Sequence, residues 1–289
     1  MTPSLGDLIS SWEHHLRARG LSERTIVAYV SAMRQFARHS GAPTAGDVAR
    51  RQVEAFLSDQ LLKFKRSTAA TNHKCIRLFF AWALGQGTIG NDPMKGLPAP
   101  SLEEVLVPVV AEEDLKLLLA TCAGEEFSDG RDAALLRLFI TTGARLSEIA
   151  GIRTRDLGQD IATVTGKGRR ARLLPITSAT DDALSHYLTL RETHAHAALE
   201  ALWLSPKGQL THSGIAQMLR RRSRKAGIGA IHPHQLRHTF AHRWLMEGGN
   251  EGDLMKLAGW NSPQMLRRYA SSAAVQRALA AHKKIVTDL

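Results

Sequence analysis

Residues 85–100 carry four glycines and three prolines, in the strings Gly85-Gln-Gly87, Asn91-Asp-Pro93 and Gly96-Leu-Pro98-Ala-Pro100. Glycine frees the backbone, while proline removes an amide donor and blocks helix interiors and central strands, so no regular element runs through this stretch. A chain of 289 residues is long enough for two modest domains, and this break says where they divide. The expected layout is a domain over 1–90, a linker over 91–106 with the boundary near 103, and a second domain with a C-terminal tail over 107–289.

The two sides of the break have different periodicities. Before it, Leu5, Leu8, Ile9, Trp12 and Leu16 recur at helical spacing, and Ser22 opens a second helix that stops before Gly41-Ala-Pro43. Further helices are expected over 47–62 and 67–85, which makes a small four-helix bundle. After the break, helices are expected at 111–122 and 129–141. Ile161-Ala-Thr-Val-Thr165 and Arg170-Ala-Arg-Leu-Leu-Pro175 then flank Gly166-Lys167-Gly168, the pattern of a β-hairpin with its turn at the glycines. Helices at 178–193, 211–226, 233–247, 251–258 and 262–270 complete a chain that is mainly α with one small β-sheet.

Charge narrows the class of partner. The formal net charge is +11, with 13 Lys and Arg against 7 Asp and Glu in residues 1–100 and 25 against 20 in the remainder. Both domains are therefore basic, which suits a polyanion gripped from two sides through phosphate neutralisation and counterion release. Cys75 and Cys122 have no metal-type spacing and read as buried thiols of a reducing compartment. The N-terminus has no apolar signal core, and no run of eighteen apolar residues occurs, so a cytoplasmic protein is expected.

The C-terminal third concentrates the chemistry. It holds His232-Pro-His234-Gln-Leu-Arg237-His238, Leu257-Ala-Gly259-Trp260 and Tyr269, with Arg145 and Lys167 upstream. A phosphodiester resists attack because its oxygens are anionic and its alkoxide leaving group is poor. A catalyst must supply cations at the non-bridging oxygens, an activated nucleophile and an acid at the leaving oxygen. Arg145, Arg237 and Lys167 can supply charge, His234 can move a proton near neutral pH, and Tyr269 can hold the bond as a phosphotyrosine. No carboxylate cluster suited to a catalytic metal accompanies them, so neither metal, nucleotide nor other cofactor is expected.

These motifs, with Thr141-Thr-Gly143-Ala-Arg145-Leu-Ser147-Glu148 and Gly166-Lys167-Gly168, resemble the tyrosine recombinase family of phage integrases and Xer-type enzymes. The likeness covers nearly the whole chain. It implies an N-terminal helical core-binding (SAM-like) domain and a mixed α/β catalytic domain forming a clamp on double-stranded DNA. It also implies strand cleavage to a 3′-phosphotyrosine and a free 5′-hydroxyl, by a monomer in solution that becomes a homotetramer on two DNA sites. Arg145 and Arg237 would hold the scissile phosphate, each with two hydrogen bonds. Lys167 would protonate the departing 5′-oxygen, and His234 would exchange a proton with Tyr269. Trp260 stands where many members have histidine; it can donate a hydrogen bond but cannot shuttle a proton. Glu148 would buttress the Arg145 and His234 region, and His238 is a weaker supporting candidate. The segment Ala273 to Leu289 would dock on a neighbour, and with the first helix so early no extra arm-binding domain is expected.

Other readings compete. His234, His238 and His242 at i, i+4 and i+8 suggest a zinc face but lack Cys or acidic partners. Ser147 lacks a positioned base and reads as a helix-start serine. Arg220-Arg-Arg222-Ser-Arg224-Lys225, on an amphipathic helix, is expected to contact phosphates, and Arg169 and Arg170 join it as DNA-binding candidates. A type IB topoisomerase would share the chemistry without needing a particular site. A catalytically idle DNA-binding regulator would have no use for the full set of Arg145, Lys167, His234, Arg237 and Tyr269.

Overall fold

The computed structural model of the chain describes residues 2–101, 108–166 and 171–260, with 262, 266, 278, 279, 282 and 286 described singly. The chain divides into two compact units, Met1–Val105 and Leu106–Leu289. Among the described residues no helix is long and apolar enough to cross a membrane. Lys167, Arg169, Arg170, Tyr269 and most of the helix expected over 262–270 lie outside the described residues.

The first unit contains α1 (Leu5–Ala18), α2 (Glu23–Ser40), α3 (Arg50–Lys63) and α4 (Arg66–Gly85). The Ser4 and Ser22 hydroxyls accept from the Asp7 and Thr25 amides, satisfying donors that a helix start leaves unpaired. Helix α2 ends at Gly41 in the left-handed region. Aromatic rings fill the centre: Trp12 meets Phe79 edge-on at 5.3 Å, and Phe36 meets Phe56 and Phe80 edge-on at 5.4 and 6.0 Å. Each such ring contributes about 1.5–3 kcal/mol by leaving water, before ring geometry adds its part.

The second unit runs α5 (Glu112–Ala120), α6 (Phe127–Thr142), α7 (Leu146–Ala150), β1 (Leu157–Gly158), β2 (Ile161–Thr165), β3 (Ala171–Pro175), α8 (Ser178–Glu192), β4 (Leu204–Ser205), β5 (Gly208–Gln209), α9 (His212–Lys225), α10 (Pro233–Met246) and α11 (Glu251–Ala258). Strands β1, β2 and β3 form an antiparallel sheet in that order, with β2 and β3 paired out to Thr165 and Ala171. The five-residue α7, the two-residue β1 and the β4–β5 hairpin are additions to the sequence expectation. Side chains alternate across a strand, so Ala162, Val164 and Leu174 face inward onto the core. That core joins Leu135, Leu138 and Phe139 of α6 to Ile149, Tyr187, Trp203 and Leu236. A smaller cluster of Ala241, Leu245, Leu254, Ala258, Trp260 and Leu266 binds α10 to α11.

Arg222 corrects one expectation. It is only 4% exposed, and its guanidinium is engaged inside the unit. Nε donates to Asp132 Oδ2 at 2.8 Å, Nη1 to the Thr121 carbonyl at 2.8 Å, and Nη2 lies 2.8 Å from Asp129 Oδ1. Asp132 also receives Arg131 at 2.7 Å. The reason is periodicity: Arg222 falls three, four and seven positions after Leu219, Met218 and Ile215, on the buried face of α9. Its neighbours Arg220, Arg221, Arg224 and Lys225 are exposed. A buried charge stripped of its partner is costly, so Arg222→Ala should lower stability by about 3–5 kcal/mol by urea denaturation. Arg220→Ala and Arg224→Ala should stay within about 0.5 kcal/mol of the wild type. An unchanged midpoint for Arg222→Ala would contradict the buried network.

Candidate active site

The site is assembled where α6, α7, β3, α10 and α11 meet. Helix α6 ends at Gly143, whose φ of +57° needs glycine; a Cβ there would sit 2.4 Å from the Phe240 ring. The chain then turns at once into α7, with Arg145 as its N-cap. Arginine has no acceptor to cap a helix, so the third helical residue does it instead. Glu148 Oε2 accepts from the Arg145 amide at 2.7 Å, and Oε1 accepts from Arg145 Nη1 at 2.7 Å. Arg145 is thereby fixed at backbone and side chain while its side chain keeps 30% exposure.

A third guanidinium enters from the sheet. Arg172 pairs with Val164 across β2–β3 on the inward face, where a cation requires compensation. Its Nη2 donates to Glu148 Oε2 at 2.7 Å and its Nε to Oε1 at 3.4 Å. Burial pushes the Glu148 carboxyl up, but the bonds from Arg172 and from the Arg145 amide and side chain outweigh this and hold it below the ordinary carboxylate range. Glu148 is therefore a buried anion shared by two arginines.

Helix α10 opens with Pro233 at N1 and with Gln235 accepting from the His232 amide at 2.8 Å. This places His234 in the first turn, exposed, and Arg237 one turn further on, 3% exposed. Arg237 Nη1 donates to the Gly143 carbonyl at 2.8 Å and Nη2 to the Ala258 carbonyl at 2.6 Å. Its guanidinium carbon lies 5.2 Å from the centre of the Trp260 ring, within cation–π range. His238 is half-buried on the same helix.

All three arginines converge on the end of α11. Arg172 Nη1 donates to the Leu257 carbonyl, Arg237 to Ala258, and Arg145 Nη2 to Gly259 at 2.9 Å. Those carbonyls form the negative pole of the helix, where cations are favoured. Gly259 closes α11 with φ +63°, and the Trp260 amide returns to the Met255 carbonyl at 2.9 Å.

Of the residues singled out from sequence, Arg145, Glu148, Arg237 and Trp260 are brought together, with His234 one turn from Arg237. Lys167 lies in sequence between the ends of β2 and β3, and Tyr269 nine positions after Trp260; both are outside the described residues. Glu148, expected to buttress the Arg145 and His234 region, pairs with Arg145 and with Arg172. Arg172 was missed. Its signal is the pairing register, which sets it on the row of Val164 and Leu174, away from the adjacent Arg169 and Arg170 in sequence. Among the described residues no group of three or more His, Cys, Asp or Glu is placed to hold a metal ion.

Residues 108–275 match the phage integrase family, and residues 8–88 match the phage integrase N-terminal SAM-like domain. Tyrosine recombinase XerC of Roseiflexus sp. (strain RS-1) is 30% identical over 274 residues, covering 89% of this chain and 87% of that protein. The structure of XerH site-specific recombinase bound to palindromic difH substrate, a post-cleavage complex, shares the fold. Its TM-score is 0.77 at 19% identity, over 92% of this chain and 81% of that one. A lambda integrase tetramer bound to a Holliday junction gives a TM-score of 0.72 at 16% identity, over 90% and 78%. The chain belongs to the phage integrase family. Within it, this is a tyrosine-type site-specific DNA recombinase.

Gly259 offers a test of the site's packing. A Cβ there would lie 3.1 Å from Arg172 Cδ, 3.2 Å from its Nε and 3.4 Å from Arg145 Nη1, whereas Gly227, at φ +70°, has nothing within 4 Å. Gly227→Ala should cost only the left-handed backbone penalty, roughly 1–2 kcal/mol. Gly259→Ala should cost more, and should also slow DNA cleavage. Equal denaturation midpoints for the two variants, with full cleavage activity, would contradict this packing.

Proposed function

We propose that the chain cuts one strand of a DNA duplex by in-line attack of the Tyr269 hydroxyl oxygen on the scissile phosphorus. The O–P bond to tyrosine forms as the bond to the 5′-oxygen breaks. His234 takes the phenolic proton, and Lys167 gives a proton to the departing oxygen. A 5′-hydroxyl from a second duplex then attacks the phosphotyrosine and releases Tyr269, so the bond energy is retained and no nucleotide is hydrolysed. The outcome is DNA integrated, excised or resolved, according to how the sites are arranged.

The observation that carries this reading is the convergence of Arg145, Arg172 and Arg237 on the last carbonyls of α11, with one carboxylate, Glu148, paired to Arg145 and Arg172. Three cations and one anion leave two positive charges. A phosphodiester carries one negative charge, and the five-coordinate species formed by attack carries two. The surplus therefore matches the transition state better than the ground state, which is the requirement for acceleration. Arg145 is the more open of the two family arginines, whereas Arg237 is buried and held by Gly143, Ala258 and Trp260.

Arg220, Arg221, Arg224 and Lys225 at the exposed end of α9, with Arg169 and Arg170, would set the protein on the duplex through phosphates and carry no sequence information. The lambda integrase tetramer on a Holliday junction supports a homotetramer on two DNA sites; free of DNA the protein would be a monomer. The protein would act on DNA in the cytoplasm.

On duplex nicked within the cognate site, wild-type protein should form a covalent protein–DNA adduct in EDTA, and Tyr269→Phe should form none. An adduct that persists with the Phe variant would move the nucleophile elsewhere. Lys167→Ala should cleave slowly on ordinary DNA but near the wild-type rate when the leaving 5′-oxygen is replaced by sulfur, because a thiolate departs without an acid. An equal defect on both substrates would remove the general-acid role.

A further inference from the structure

Arg172 lies outside the set of residues that the family resemblance assigns to the reaction, yet it is bound as closely as they are. Its side chain is 12% exposed, against 30% for Arg145, so it has little surface to offer DNA. Its contacts are internal: both oxygens of Glu148, and the Leu257 carbonyl at the end of α11. The sharing at Glu148 is symmetrical. Oε1 accepts from Arg145 Nη1 and Arg172 Nε, and Oε2 accepts from the Arg145 amide and Arg172 Nη2.

Building on the phosphotyrosine reading, we propose that Arg172 is a positioning residue that keeps Arg145 available to the scissile phosphate. Glu148 has no exposed side-chain surface, and a buried carboxylate needs a counter-ion. With Arg172 in place, half of that demand is met from β3, and Arg145 gives Glu148 one side-chain donor while its Nη2 reaches Gly259. Without Arg172, Arg145 is the cation left on that carboxylate among the described residues. The pair would close into a two-pronged ion pair, withdrawing from the phosphate the donors that neutralise it. Arg172 also fixes the carbonyl next to the two held by Arg237 and Arg145, so its loss loosens the end of α11 on which all three guanidinium groups are registered. Lysine at 172 would keep the charge but could not donate in three directions from a planar fork.

The test separates binding from chemistry, using the full-length protein and duplex nicked within the cognate site. Arg172→Gln should lower the single-turnover rate of adduct formation at saturating protein by about 10–100-fold, the scale of a misplaced catalytic group, while DNA affinity by gel shift stays within about threefold. Arg172→Lys should fall between Arg172→Gln and wild type; it keeps a cation against Glu148 and so serves if the glutamine variant does not fold. The decisive variant is the double Arg172→Gln, Glu148→Gln. Removing the carboxylate frees Arg145, so the double variant should react at least about threefold faster than Arg172→Gln alone, a recovery that damage to packing would not produce. Multiplied defects in the double variant, a wild-type rate for Arg172→Gln, or equal losses of rate and affinity would each overturn the positioning role. Absence of adduct with the wild type would instead overturn the phosphotyrosine reading.

Discussion

Three guanidinium groups donate to three successive carbonyls, Leu257, Ala258 and Gly259, at the end of one short helix. Left to themselves they would separate, because two like charges 4 Å apart repel by about 4 kcal/mol at the effective dielectric of a protein surface. The negative pole of α11 and the buried Glu148 carboxylate hold them against that repulsion. Concentrated positive charge is thus built into the folded protein before any substrate arrives. On the proposed mechanism, a phosphate entering the site would meet donors already oriented, and attack at phosphorus would increase the negative charge those donors face.

The fold supplies this arrangement from both ends of the second unit's sequence. Arg145 comes from the tight passage between α6 and α7, Arg172 from the inward row of a strand, and Arg237 from the second turn of α10. Gly143 and Gly259 end helices in the left-handed region, and their carbonyls accept from Arg237 and Arg145 in turn. The same residues that stop two helices therefore serve as anchor points for the cations. Trp260 follows directly, its ring against Arg237, so the site has an aromatic contact where an ionic one would compete for the same guanidinium.

The longer helices were legible because their apolar residues recur with the helical period and their ends carry recognisable signals, such as Ser22 at the start of α2 and Gly41 at its stop. Helix α7 was legible only as a helix start at Ser147: five residues are too few for a period, and its cap is a glutamate three positions inside it. The β4–β5 hairpin has two-residue strands, too short to alternate. Two arginines show the limit most clearly. Arg222 sits in a run that reads as a basic surface, although its spacing from Ile215, Met218 and Leu219 already placed it inward. Arg172 follows Arg169 and Arg170, and only the pairing of Val164 with Arg172 separates it from them. The family motifs located Arg145, Glu148, Arg237 and Trp260, whereas the ion pairs that hold them required three dimensions.

On the proposed mechanism, Arg145 works by opposing negative charge at the reacting phosphorus. The most direct measurement compares wild type with Arg145→Ala on two nicked duplexes, one with an ordinary scissile phosphate and one with an uncharged methylphosphonate there. On the phosphate the variant should react slower by about 10²–10³-fold, the scale of losing one preorganised donor. On the methylphosphonate that gap should shrink to a few-fold. An undiminished gap on the neutral substrate would contradict the claim.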